Sequence, residues 1–116
     1  MRRGFFALTL LWASGSPAWS EASRPAHIRA GREVAQELCA SCHVVAVDQK
    51  QMPIVKPPVI SFKEIAQRPT TDASSLQGFL SSTHSNISHP GAMPNPEITA
   101  DQIRDVVAYI LSLRGK

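Results

Sequence analysis

The five residues Cys39-Ala40-Ser41-Cys42-His43 constrain this chain more than any other segment. They hold both cysteines of the 116-residue sequence, three positions apart, with a histidine directly behind. Residues three apart lie on one side of a helical turn, so the two thiols can add to two neighbouring vinyl groups of one planar ligand. The histidine that follows can then turn its imidazole towards a central metal. This is the spacing of c-type haem attachment, and one covalent haem c is the cofactor expected. Three other chemistries use paired cysteines. A thioredoxin-like redox pair needs a surrounding βαβ pattern, which the sequence lacks. A zinc site needs four ligands, and beyond Cys39 and Cys42 the chain offers only scattered histidines. A simple disulfide suits an oxidising compartment but leaves the small aromatic content unexplained.

The N-terminus reads as an export signal. Met1-Arg2-Arg3 is a short basic head, Phe5 to Ala13 is a nine-residue, mostly apolar run, and Ser14-Gly15-Ser16-Pro17 interrupts it. Ala18-Trp19-Ser20 and Ser20-Glu21-Ala22 both offer small residues around a cleavage site, the layout of a secretory signal peptide. The run is about half the ~20 residues a membrane span requires. The expected organisation is therefore a cleaved signal over 1–22, a flexible lead-in over 23–30 and one domain over 31–116. Removing Arg2, Arg3 and Glu21 takes the formal net charge from +3 to about +2, which weakens any case for a nucleic-acid partner. The mature chain is expected to be a monomer outside the cytoplasm, in the periplasm, with no membrane span. It keeps three aromatic rings, Phe62, Phe79 and Tyr109. A chain this short buries only about 60–65% of its unfolded surface, so a ligand should help to fill its core.

Periodicity predicts an all-α domain of three to five short helices joined by long loops. Gly31 to Cys42 reads as a helix with Val34, Leu38 and Cys42 on one face. Residues 44–61 carry Pro53, Pro57 and Pro58 and read as an irregular connection, including Val44–Val47 despite its strand propensity. Ser61 to Gln67 reads as a short helical turn. Thr70, Thr71 or Asp72 can cap a helix to about Ser81 with Leu76, Phe79 and Leu80 inward. Residues 82–96 are a second loop rich in Ser, Asn, Gly and Pro. Thr99 and Gln102 form a capping-box signature. An apolar stripe of Ile103, Val106, Val107, Ile110 and Leu111 follows, and Gly115 supplies the stop.

With these pieces in this order, the chain resembles a small class I (monohaem) cytochrome c of the bacterial periplasm from about Gly31 to Leu113. Besides Cys39-Ala40-Ser41-Cys42-His43, the resemblance rests on Gly31, on Pro58 and Phe62-x-x-Ile65-Ala66, and on Phe79-Leu80 ahead of His84. It also rests on Met93-Pro94 and on Asp105-Val106-Val107-Ala108-Tyr109-Ile110-x-Ser112-Leu113. It implies a cytochrome c fold wrapped around the haem, with His43 as one axial iron ligand and Met93 as the other. A thioether is a soft, neutral ligand that favours ferrous iron and raises the potential. His89, four residues before Met93, is the rival, and Met52 is a second, nine residues after His43. His27 and His84 read as solvated loop histidines. The resemblance also implies that the Pro58 carbonyl accepts a hydrogen bond from His43 Nδ1, with Pro57 one residue away. Gly31 and Tyr109 match the close crossing of the first and last helices. The haem propionates fall to Arg68, Asn86 or backbone amides.

The resemblance implies an electron carrier rather than an enzyme, exchanging single electrons at the haem edge near Cys39. Its partners would be a dehydrogenase, a quinol-oxidising complex or an oxidase of the periplasm or inner membrane. Over residues 44–70, Lys50, Lys56, Lys63 and Arg68 outnumber Asp48 and Glu64, a mildly basic rim for an acidic partner or simply a solvated loop surface. Two alternatives stay open: a haem c sensor or small peroxidase with a displaceable sixth ligand, and a cytochrome subunit of a periplasmic dehydrogenase.

Overall fold

In the computed structural model, helix α1 runs from Trp19 to Val34 and passes directly into a π-helical turn, Ala35–Cys39. Three further helices follow: α2, Phe62–Gln67; α3, Ala73–Ser81; and α4, Ala100–Ser112. The structure describes residues 19–56, 59–82 and 93–116, with side chains from Ser23 onward, and contains no strand among them. The all-helical architecture is the one the residue periodicity predicts. Residues 1–18, Pro57, Pro58 and 83–92 lie outside the described residues, and with them most of the expected signal, His84, Asn86 and His89.

Each short helix begins at a side-chain cap. Ser61, Asp72 and Thr99 accept from the backbone N–H three residues on, and Glu64, Ser75 and Gln102 reach back to the cap N–H. Of the three candidates for the third helix, Asp72 is therefore the cap. These reciprocal bonds satisfy donors that a helix start leaves without intrahelical partners. Beyond α4, Gly115 takes the left-handed φ of +75° that ends helices at low steric cost.

Helix α4 is the hub on which α1, α2 and α3 all pack. Its buried stripe is Ile103, Val106, Val107, Tyr109 and Ile110. Facing it are Ala35 and Ala40 from the first arm, Phe62 and Ala66 from α2, and Leu76 and Leu80 from α3. Phe79, on the same side of α3, is about half exposed. Arg114, just past α4, donates to the carbonyls of Ala66 and Thr71 and ties both sides of the α2–α3 turn to the end of the chain.

The α1–α4 contact is the most extensive in the fold, and Gly31 makes it possible. A Cβ at Gly31 would lie 1.9 Å from the Asp105 carbonyl oxygen and 2.8 Å from the Val106 nitrogen. The close crossing expected at Gly31 is thus present. Two sequence expectations change here. Residues 23–30, expected as a flexible lead-in, are helical, because Ile28 packs against the core and His27 bonds Asp105 on α4 at 2.6 Å. His27 is accordingly a helix-pairing residue and not a loop histidine. Polar composition and Pro25 conceal this, since the stabilising partner lies 78 residues away.

Tyr109 of α4 also ties that helix to the segment behind His43. Its ring lies 6.4 Å from Phe62, and its hydroxyl donates to the Val45 carbonyl at 2.6 Å. Helix α4 thereby holds the irregular segment behind His43, where Val45 is fully buried. Burial raises the Tyr109 phenol above its ordinary 10. A phenol whose folded value is raised contributes stability that is complete below 10 and is lost as pH climbs through the raised value. Tyr109→Phe should cost about 1–2 kcal/mol at neutral pH, because a buried carbonyl loses its donor. Denaturant unfolding of the two proteins should then converge above pH 10; an unchanging gap would show that the hydroxyl contributes nothing through this bond.

Candidate functional site

The π-helical turn delivers the cysteine motif. Backbone bonds from the Cys42 and His43 N–H groups to the Cys39 carbonyl, at 3.1 and 2.9 Å, continue the turn through the motif. The π-helical geometry of Ala35–Cys39, which precedes these bonds, is of a type that concentrates at functional sites because it re-aims side chains without ending the helix. The two sulfurs are not joined to each other in a disulfide. Burial, followed by the proximity of Cys42, pushes the Cys39 thiol up to about 11, so it stays neutral at physiological pH. Cys42 is half-buried, with Ser41 Oγ 3.8 Å from its sulfur.

Cys39, His43 and Met93 line one cleft, which is otherwise walled by apolar side chains. Phe62 and Ile65 come from α2; Leu76, Phe79 and Leu80 from α3; and Val106 and Ile110 from α4. Pro96 and Ile98 close it from the Met93 side. The cleft and its open mouth together span about 440 Å³. Residues 54 positions apart in sequence thus share one apolar space holding a thiol, an imidazole and a thioether. A flat, largely apolar macrocycle needs such walls, and its iron needs nitrogen and sulfur donors, so the residues present fit a haem. Among the described residues there is no group of three or more His, Cys, Asp or Glu able to hold a metal ion.

His43 is held by a 2.6 Å hydrogen bond from Nδ1–H to the Ile60 carbonyl, and its ring lies 5.5 Å from Phe62. A ring nitrogen facing a carbonyl must carry the proton, which leaves Nε2 as the unprotonated donor. Ile60 is the acceptor the structure shows; Pro58, the acceptor the resemblance implies, lies outside the described residues. The connection is pinned on both sides of this point, by Phe62 N–H to Val44 carbonyl at 3.0 Å and by the Ser61 cap of α2. That pinning presents the Ile60 carbonyl, and a linear match of prolines cannot reveal it.

Met52 is exposed and is not among the cleft residues. Arg68 follows α2 as its C-cap on the exposed surface, and it too is not among them. Sequence reasoning missed Pro96 and Ile98. Ile98 immediately precedes the Thr99 cap and Ile103 is four residues into the helix, the pattern of a hydrophobic staple, so a signal for its inward packing was present. Between the two, Glu97 takes a left-handed φ of 51°, with its N–H bonded to Asn95 Oδ1 at 3.0 Å.

Comparisons with known proteins identify the family. The chain is 36% identical to "Cytochrome c-552" of Bradyrhizobium diazoefficiens over 84 residues, which is 72% of each protein. No solved structure matches significantly. The sequence model of the cytochrome c family matches residues 28–114. This protein is therefore a member of the cytochrome c family, a small helical protein that carries covalent haem c and transfers electrons.

Proposed function

We propose that the protein is exported, works in the periplasm as a monomeric shuttle for single electrons, and holds its iron between His43 and Met93. The observation that carries this reading is the shared cleft: Cys39, His43 and Met93, from opposite ends of the domain, line the same apolar walls. Haem c supplies a one-electron ferric/ferrous couple when bound. Cys39 and Cys42 anchor one edge through thioethers. His43 offers Nε2 while Ile60 fixes its ring through Nδ1. Met93 offers a soft thioether, and with both axial positions filled by the chain no substrate need meet the metal. This favours a carrier over a sensor or peroxidase.

Export is supported by the N-terminal pattern and by Pro25. In a chain cleaved after Ala22, Pro25 falls in the first turn of α1, where its missing N–H has no intrahelical role. No helix among the described residues is long and apolar enough to cross a membrane. The loop leaving His43 supports transient docking. It exposes Val47 (97%), Met52 and Ile54 beside Lys50 and Lys56, an apolar surface with a basic fringe suited to an acidic partner such as a dehydrogenase, quinol-oxidising complex or oxidase.

Optical spectra of the exported protein test the reading. The expected result is a covalent c-type spectrum with the far-red sulfur-to-iron band. Met93→Ala should abolish that band and lower the midpoint potential by a decade or more in the reduced/oxidised ratio, at about 59 mV per decade. Loss of the band in a Met93 variant but not in a His89 variant supports the assignment. A wild-type spectrum without the band would move ligation to His89 or to an open site, and would favour a sensor or peroxidase.

A further inference from the structure

Residues 43–46 leave the haem motif as irregular chain with no strand partner, yet nearly every polar backbone group there is satisfied. The Val44 carbonyl accepts from Phe62 N–H and the Val45 carbonyl from Tyr109. The Ala46 carbonyl accepts from Gln49 N–H at 3.3 Å. One side chain supplies most of the rest. Gln49 Oε1 accepts from Val45 N–H at 2.6 Å and Ala46 N–H at 3.1 Å, while Nε2 donates to the His43 carbonyl at 3.4 Å and the Gln51 carbonyl at 2.6 Å. Two N–H donors face the oxygen and two carbonyls face the nitrogen, so the amide has one chemically sensible orientation.

Gln49 thus stands where a neighbouring strand would otherwise stand, and it bonds the backbone of His43 itself. We propose that Gln49 is a positioning residue for the axial histidine: its side-chain amide fixes the backbone of residues 43–46 and, through it, the ring plane of His43 and the strength of the Nδ1–Ile60 bond. The inference rests on the reading of His43 as an iron ligand. Three restraints act on this short segment from different directions. Tyr109 holds it to α4, Phe62 N–H holds it to the start of α2, and Gln49 ties it to its own loop. The first two restrain Val44 and Val45, whereas the Gln49 amide alone among them reaches the His43 carbonyl. A hydrogen bond at Nδ1 makes the imidazole a better donor to the metal and favours the ferric state. Loosening the segment should weaken that bond and shift the equilibrium towards ferrous iron.

The test compares holoprotein of wild type, Gln49→Ala and Gln49→Glu. In Gln49→Ala, amide hydrogen exchange at Val45 and Ala46 should accelerate at least tenfold. The hyperfine-shifted haem methyl resonances of the ferric protein, which report the histidine ring plane, should move. The midpoint potential should rise by about threefold in the reduced/oxidised ratio, about 28 mV at 59 mV per decade. Gln49→Glu keeps the acceptor for both amides but loses the donor to the His43 carbonyl, so it should restore amide protection while the hyperfine pattern stays shifted from wild type. Faster exchange with unchanged hyperfine shifts and potential would make Gln49 a loop-stabilising residue only and overturn the proposal. Unchanged exchange would overturn it by showing that the amide bonds carry no weight. Failure of the underlying ligand reading is visible separately, in a wild-type spectrum that lacks histidine ligation.

Discussion

Gly31→Ala should destabilise the protein by about 3 kcal/mol or more, the upper end of what overpacking costs. The added methyl would occupy space 1.9 Å from the Asp105 carbonyl oxygen and 2.3 Å from its carbon. Those atoms belong to the backbone of α4, so relief requires sliding one helix along the other. The intrinsic gain from replacing a mid-helix glycine by alanine is about 0.5–1 kcal/mol and cannot offset that. Gly78 supplies the control. It lies within α3 with no atom inside 4 Å of a built Cβ, so Gly78→Ala should stabilise by about 0.5–1 kcal/mol. Denaturant titrations of the two variants should move the midpoint in opposite directions. A neutral Gly31→Ala would mean that α1 and α4 do not approach this closely in solution.

A chain that cannot attach haem, made as Cys39→Ala/Cys42→Ala, should lose its cooperative thermal transition and much of its helix signal in circular dichroism. Helices α2 and α3 each pack on α4, and the cleft separates their inner faces from the Met93 segment. Phe79 remains about half exposed, and the largest fully buried side chains are only Val45 and Val106. Native stability is commonly 5–15 kcal/mol. Leaving one apolar wall of so small a core against water removes a large share of it. Ligand that binds only the folded chain would restore that share through linkage. A sharp, reversible transition with native helix content in the double variant would show that the polypeptide core suffices alone.

Much of the site was legible before any coordinates. The attachment motif is local, so spacing alone placed Cys39, Cys42 and His43 on one turn. The three capped helices were legible for the same reason, since a cap and its partner lie three residues apart. Met93 was reached through resemblance, and the structure brings it into the cleft with Cys39 and His43. What the sequence did not show shares a cause. Residues 23–30 are helical because of Asp105 and the core, Ile60 accepts from His43, and Tyr109 reaches Val45. Each depends on a partner distant in sequence or on the path of an irregular loop.

By itself the sequence determined the helical periods, the capping box of α4 and the cofactor chemistry, because each follows from neighbours within a turn. Tertiary structure alone decided which carbonyl orients His43, which side chains wall the cleft, and how Gln49 and Tyr109 hold a strandless segment. Backbone polar groups outside helices must find partners wherever the fold brings them, and no short-range pattern encodes where that is.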